Sequence, residues 1–205
     1  MARVVWKEST LLDKPVRVRI TIQHTGFSLG NSFMTITYPK AEQLSIGYDP
    51  KEDRLILIVH LQTGEIRKAL ITRRLLSRIL DRMKNELSST HPAADRSPDL
   101  EEVLQMEHVA AMQQDKSESS SGESGAGSPP AESYLVIESQ IVTQDKHLLW
   151  GLIAENKNPI AGIELARGEA HQVLRMLVEQ AEKAEWGLEK KAAWMKPIRY
   201  GRGGN

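Results

Sequence analysis

The stretch "RLILIVHLQTGEIRKALITRRLLSRIL", Arg54–Leu80, holds the plan of the chain in miniature. "RLILIVHLQ" (Arg54–Gln62) is apolar on both faces, which places it in a sheet centre. "TGE" turns the chain and "IRKALI" (Ile66–Ile71) returns it as a second strand. Thr72 then stands where a helix N-cap is needed. Leu75, Leu76, Ile79, Leu80, Met83 and Leu87 follow at helical spacing. The opposite helix face carries Arg73, Arg74, Arg78, Arg82 and Lys84.

Upstream, "VRVRITIQ" (Val16–Gln23) alternates strictly, with Val16, Val18, Ile20 and Ile22 on one face and Arg17, Arg19, Thr21 and Gln23 on the other. That period of two predicts a strand with one buried face. "SFMTITY" (Ser32–Tyr38) and "QLSIGY" (Gln43–Tyr48) read as further strands, with "DPKED" (Asp49–Asp53) a turn.

Downstream, the same order recurs. "SYLVIESQIVT" (Ser133–Thr143), "HLLWGLIAE" (His147–Glu155) and "IAGIELA" (Ile160–Ala166) read as strands, and a helix begins near Gly168. A gap-free shift of 94 lays Leu55 on Leu149, Ile58 on Leu152, Val59 on Ile153, Ile71 on Leu165 and Ile79 on Val173. The expected fold is α+β: two similar units, each an antiparallel sheet with a C-terminal helix, joined by a disordered acidic linker. An internal duplication and a chance agreement of two sheet-then-helix units both fit this pattern. The expected boundaries are a basic unit at 1–90, a linker at 91–132, a second unit at 133–190 and a basic, aromatic tail at 191–205.

The linker holds "SESSSGESGAGSPP" (Ser117–Pro130), which has too little apolar surface to offset the entropy of ordering. Before it, "SPDLEEVLQMEHVAAM" offers Ser97 as N-cap and Pro98 at the first helical position. A short helix over 98–112 is expected, marginal if isolated.

The 205 residues carry 27 Lys+Arg and 27 Asp+Glu. Residues 1–87 are net +6, 88–133 net −7 and 134–205 net +1, so neutrality hides a basic first half and an acidic middle. Cysteine is absent, which excludes disulfides, thiolate zinc sites and cysteine nucleophiles. The N-terminus lacks a signal-like apolar run and no stretch is long enough for a membrane helix, so a cytoplasmic protein without a membrane partner is expected. The six histidines form no i, i+4 metal pair. Neither G-x-S-x-G nor a phosphate-loop motif occurs. No cofactor, metal or catalytic residue is assigned, and binding is favoured over catalysis.

Two binding readings stay open. In the first, a basic sheet face of Arg17, Arg19, Phe33, Arg67 and Lys68 contacts single-stranded nucleic acid, charge meeting phosphates and the ring stacking on bases. The tail "KKAAWMKPIRYGRGGN" joins in through Lys196, Arg199 and Tyr200, unless Trp194 instead docks on the domain. In the second, the open sheet face or the linker helix contacts a protein, the chain serving as an adaptor or assembly factor, with a homodimer allowed. The duplicated sheet-then-helix plan resembles, in topology, the Pur-alpha and Whirly single-strand-binding families. That resemblance implies single-strand binding; the acidic linker departs from both families, and no site residue is carried over.

Overall fold

The computed structural model describes residues 16–19, 28–29, 36–94, 99–118, 132–188 and 193–195, with backbone alone at 16–19, 28–29, 114–118 and 193. In chain order the elements are β1 (Val16–Arg19), β2 (Ser28–Leu29), β3 (Ile36–Thr37), β4 (Ala41–Asp49), β5 (Arg54–Leu61), β6 (Ile66–Ile71), α1 (Arg73–Ser89), α2 (Leu100–Glu118), β7 (Ser133–Leu135), β8 (Glu138–Gln144), β9 (His147–Ile153), β10 (Pro159–Ala166) and α3 (Arg167–Lys183). The fold is α+β. One sheet has the order β1-β4-β5-β6-β7, antiparallel except for the parallel β6–β7 pair, and a second has the order β10-β9-β8, antiparallel throughout.

Local chemistry sets the hairpins. Asp49 Oδ1 accepts from the Lys51 amide at 2.9 Å and so folds the β4–β5 turn on itself. Asp145 and Lys146 close β8–β9 as a two-residue loop, and both have positive φ (49° and 69°), as the twist of a tight hairpin demands. Thr72 Oγ1 accepts from the Leu75 amide at 3.2 Å and starts α1.

The segment read as one strand over Ser133–Thr143 is two strands in different sheets. The Val136 amide donates to Leu70 O, extending β7 along β6, and the next amide, Ile137, donates to Ile153 O in the other sheet. The chain therefore changes sheets between neighbouring residues. The sheets meet again where the Gly162 amide donates to Pro39 O at 2.7 Å. There Lys40 Nζ lies 3.1 Å from Glu164 Oε2, both side chains almost fully buried. A buried cation requires such a partner, because either charge alone would bear its full desolvation cost.

One core lies between these walls. Leu44, Ile46, Leu55, Leu57, Val59, Ala69 and Ile71 come from the larger sheet, and Ile141, Leu148, Trp150, Leu152, Ile163 and Leu165 from the smaller. Each helix packs across onto the other half: α1 against β8, α3 against β4 as well as its own β10, and the two helices against each other. Polar contacts fix the crossing, since Arg82 Nε donates to Ile141 O at 3.1 Å and Thr143 Oγ1 donates to Glu86 Oε2 at 3.0 Å. Neither half buries its own sheet unaided.

The shift of 94 holds for β6 against β10 and for the helices, with α1 at 73–89 and α3 at 167–183. It fails for β5. Leu55, Leu57 and Val59 face the core, whereas Leu149 and Ile153 lie in a separate cluster on the outer face of the smaller sheet. Leu55 pairs with Ile71 and Leu148 with Leu165, so the matching offset there is 93. Ile46 and Ile141, each paired to the matching strand, give 95 for β4. Turn lengths differ by one or two residues, and a slip of one moves every side chain to the opposite face.

That outer cluster joins Tyr38, Leu149 and Ile153 with Ile36 and Val142. The Tyr38 ring lies directly over Gly151: a Cβ there would sit 2.5 Å from Tyr38 Cζ. Its hydroxyl donates to Gln140 Oε1 at 3.1 Å, and burial with the nearby Glu138 charge pushes its pKa up to about 12. Among the described residues, no helix is long and apolar enough to cross a membrane.

Candidate anion-binding site

The first turn of α1 contains no acid; it opens with Arg73 and Arg74. Exposed amide dipoles already make a helix N-terminus positive, so cations are least favourable there without a compensating anion. Arg73, Arg74, Ser77, Arg78 and Leu188 line an open concavity of about 470 Å³. Among the described residues none of these three guanidiniums forms an ion pair or a hydrogen bond. The other two cations of that helix face are committed: Arg82 pairs with Glu86 at 2.6 Å and Lys84 with Asp81 at 2.8 Å.

The far wall of the concavity is the segment after α3, held on the β4–β5 turn by one carboxylate. Asp53 Oδ1 accepts from Trp186 Nε1 at 2.7 Å and from the Tyr48 hydroxyl at 2.8 Å. The two rings meet edge to face, 5.8 Å between centroids. These two hydrogen bonds, with the charges of Arg54 and Arg73, hold the Asp53 carboxyl below its ordinary range. Arg73 thus feels an acid nearby, but one outside ion-pairing distance.

A second polar cluster lies at the start of α3. Arg167 grips Glu107 of α2 with Nε to Oε1 at 2.8 Å and Nη2 to Oε2 at 3.0 Å, the forked geometry a guanidinium offers an oxyanion. The same guanidinium donates to Leu87 O and Thr90 Oγ1 at the end of α1. His171 Nε2 lies 3.2 Å and His91 Nε2 3.8 Å from Glu107 Oε2. Burial alone would raise the Glu107 pKa, but the contacts with His171 and Arg167 outweigh it and hold the carboxyl well below its usual range. His108 Nδ1 and His171 Nδ1 lie 3.3 Å apart, so one carries the proton and the other accepts it. Burial, then the charges of His171 and Arg175, lower the His108 pKa to about 4. Trp194 packs edge-on against both imidazoles at 5.6 and 5.2 Å. With Leu104 and Ala111 buried, this makes α2 a docked helix, although its sequence alone reads as marginal.

The residues expected at a nucleic-acid face are placed as follows. Arg17 pairs through its backbone with Ser45, and Arg19 with Gln43. Phe33, Lys196, Arg199 and Tyr200 lie outside the described residues. Arg67 is spent internally: its guanidinium holds Glu65 and donates to Pro159 O and Ile160 O at 3.1 and 2.8 Å, with its carbon 5.9 Å from the Tyr134 ring centroid. Lys68 pairs with Ile58 and Ser133 on a face that also holds Ile66 and Leu70. Trp194, 4% exposed, has no free face for stacking on a base. The arginine cleft was visible in sequence as one basic helix stripe; the concavity was not, because Leu188 reaches it from the other end of the fold.

Among the described residues no cluster of three or more His, Asp or Glu is arranged to hold a metal ion. Comparison with known protein families gives no match, and no curated protein matches the chain.

Proposed function

We propose that the protein is a non-catalytic, cytoplasmic binding protein whose partner is single-stranded nucleic acid, held through its phosphates in the arginine cleft at the start of α1. The observation that carries this reading is the cleft itself: three guanidiniums, unpaired among the described residues, around one concavity at a helix end that already favours anions. Ser77 and Leu188 complete its lining beside the three guanidiniums. On this reading the two β-β-β-α units are a duplication with altered turn lengths; the Ser/Gly-rich stretch 119–131 between them lies outside the described residues.

A titration of a short fluorescent single strand across salt concentrations tests the cleft. The logarithm of affinity should fall with the logarithm of salt, by about 0.7 per phosphate neutralised. R73A/R74A/R78A should flatten that slope by about two units. R67A, whose guanidinium is engaged internally, should leave the slope unchanged. Absence of binding at low salt would overturn the nucleic-acid reading.

A second reading has its own observation. Leu135 and Ile137 are 40% and 50% exposed beside half-buried Ile66 and Leu70, an apolar edge suited to a protein partner or a second copy in an adaptor role.

A further inference from the structure

The arginine cleft has a twin, and the twin is occupied. The offset of 94 that relates the helices carries Arg73 to Arg167, Arg74 to Gly168, Ser77 to His171 and Arg78 to Gln172. The surroundings correspond as well. Arg167 reaches over the end of α1 to Leu87 O and Thr90 Oγ1. Arg73 reaches over the end of α3, with Nη2 3.9 Å from where a Gly187 Cβ would lie. At the twin the space before the guanidinium is filled by the Glu107 carboxylate.

We propose that the start of α3 is a second anion-binding site, lined by Arg167, His171 and His91, and that Glu107 of α2 fills it as an internal ligand in competition with a phosphate group. The inference rests on the nucleic-acid reading for its biological ligand, but the anion site itself stands on its own geometry. Two hydrogen bonds from one guanidinium are the pattern by which arginine takes carboxylate and phosphate alike. His171 is completely buried, and its Nε2 points towards the anion without an aligned hydrogen bond, a donor that a larger oxyanion can use. The two sites differ in strength for a visible reason. The open cleft has Arg74 and Arg78 where the twin has Gly168 and Gln172. Three guanidiniums ask for a polyanion; one guanidinium with imidazoles is satisfied by a single carboxylate. Glu107 therefore keeps the weaker site closed, and a strand engaging both ends of the helix pair must first displace it.

The test places E107Q in the R73A/R74A/R78A background, so that the open cleft is silent, and titrates the full chain with inorganic phosphate. Gln keeps the size of the side chain, and α2 keeps its apolar contacts and the Gln172-to-Ala111 O bond. One phosphate should bind, about tenfold or more tighter than with Glu107 in place, since removal of a competing charge-assisted pair is worth at least one decade. The His171 and His91 ring resonances should move with it. A folded E107Q variant whose imidazole signals ignore phosphate would overturn the proposal and leave Glu107 a structural strut. If E107Q does not fold, hydrogen exchange of the native chain decides: a bound single strand should speed exchange in α2, and unchanged α2 protection in a strand-saturated sample would overturn it. Phosphate binding to E107Q without strand binding to the native chain would keep the second site and remove the nucleic-acid reading. The reverse result would do the opposite.

Discussion

Arg73 and Arg167 open two helices of equal length, 94 residues apart in the chain. The first guanidinium faces open space with two more arginines beside it; the second is clasped by a carboxylate, a hydroxyl and a backbone carbonyl. The same residue type at the corresponding place in a strand-then-helix unit is thus open in one half and occupied by an internal carboxylate in the other. The difference comes from α2, which stands between the two sheet-then-helix stretches; among the described residues no helix of that kind packs beside Arg73. Chemical type and local position do not fix a residue's role; the element that arrives from elsewhere does.

The largest way to break the correspondence is on the outer faces of the sheets. By the offset of 93, Gly151 matches Ile58. Ile58 is half-buried, with its side chain accommodated; Gly151 lies under the Tyr38 ring, where a Cβ would be 2.5 Å from Cζ. Gly151→Leu should therefore cost about 3 kcal/mol or more, because the ring and its backbone must be driven off the sheet. Ile58→Leu should stay below about 1.5 kcal/mol. Denaturant midpoints of the two variants check the contrast, and equal values would refute the register assignment.

The twin arginines give the next contrast. Arg167→Ala leaves the half-buried Glu107 without its main partner and should cost about 2 kcal/mol. Arg73→Ala should stay within about 0.5 kcal/mol, as an exposed side chain with no ion pair or hydrogen bond among the described residues. The sign in pH follows from Glu107. Its folded pKa is depressed, so its contribution is complete above the ordinary glutamate range and is lost as pH falls below it. Thermal melts from pH 7 to 3 should show a steeper acid decline for wild type than for Arg167→Ala.

These contrasts also show what the sequence alone supports. Strand and helix periods at Arg54–Leu80 and again at His147–Leu177 declare themselves locally, and Thr72 caps α1 where its position demands. The break at Val136–Ile137 does not, since both residues are apolar and extended, and only the distant acceptors Leu70 O and Ile153 O separate them. The one-residue offsets in register are likewise decided by turns and by pairing across the sheet. Arg67 reads as a surface cation because its acceptors, Pro159 O and Ile160 O, lie over ninety residues away. Glu107, His91 and His108 stand in a segment whose acidity suggests a solvated linker; burial of Leu104, His108 and Ala111 against α3 is a long-range fact.

A smaller effect separates His108 from the groups around it. Its pKa is lowered to about 4 by burial and by His171 and Arg175, so the unfolded chain takes up the proton first. Stability contributed by the neutral ring is complete above about pH 6.5 and is lost as pH falls towards 4, in total on the order of 3 kcal/mol. Glu107 acts at lower pH, which makes the windows separable. H108N should remove the upper part of the acid decline and leave the lower part in place. A melting curve for H108N that parallels wild type from pH 6.5 to 4.5 would refute the assignment to His108.

The smallest contrast lies at the residue before each helix. Position 72 is Thr and its match, position 166, is Ala. Thr72 Oγ1 accepts from the Leu75 amide, so Thr72→Ala should cost about 1 kcal/mol. Ala166 has no such oxygen; only the return half of the motif exists, with its amide donating to Glu169 Oε2 at 2.8 Å. Its backbone, φ −61° and ψ 157°, is already in the extended region an N-cap adopts. Ser at 166 would complete the Ser-x-x-Glu box by accepting from the Glu169 amide while Glu169 continues to reach back. Ala166→Ser should therefore stabilise the protein by about 0.5–1 kcal/mol, with no strain in the backbone to offset it. Because Arg167 follows at once, the gain also tests whether the start of α3 is held by its own cap or by the Glu107 contact. If Ala166→Ser adds as much in the E107Q background as in wild type, cap and carboxylate are independent. If it adds more, Glu107 already orders the first turn of α3, which is what an internal ligand at a helix N-terminus is expected to do.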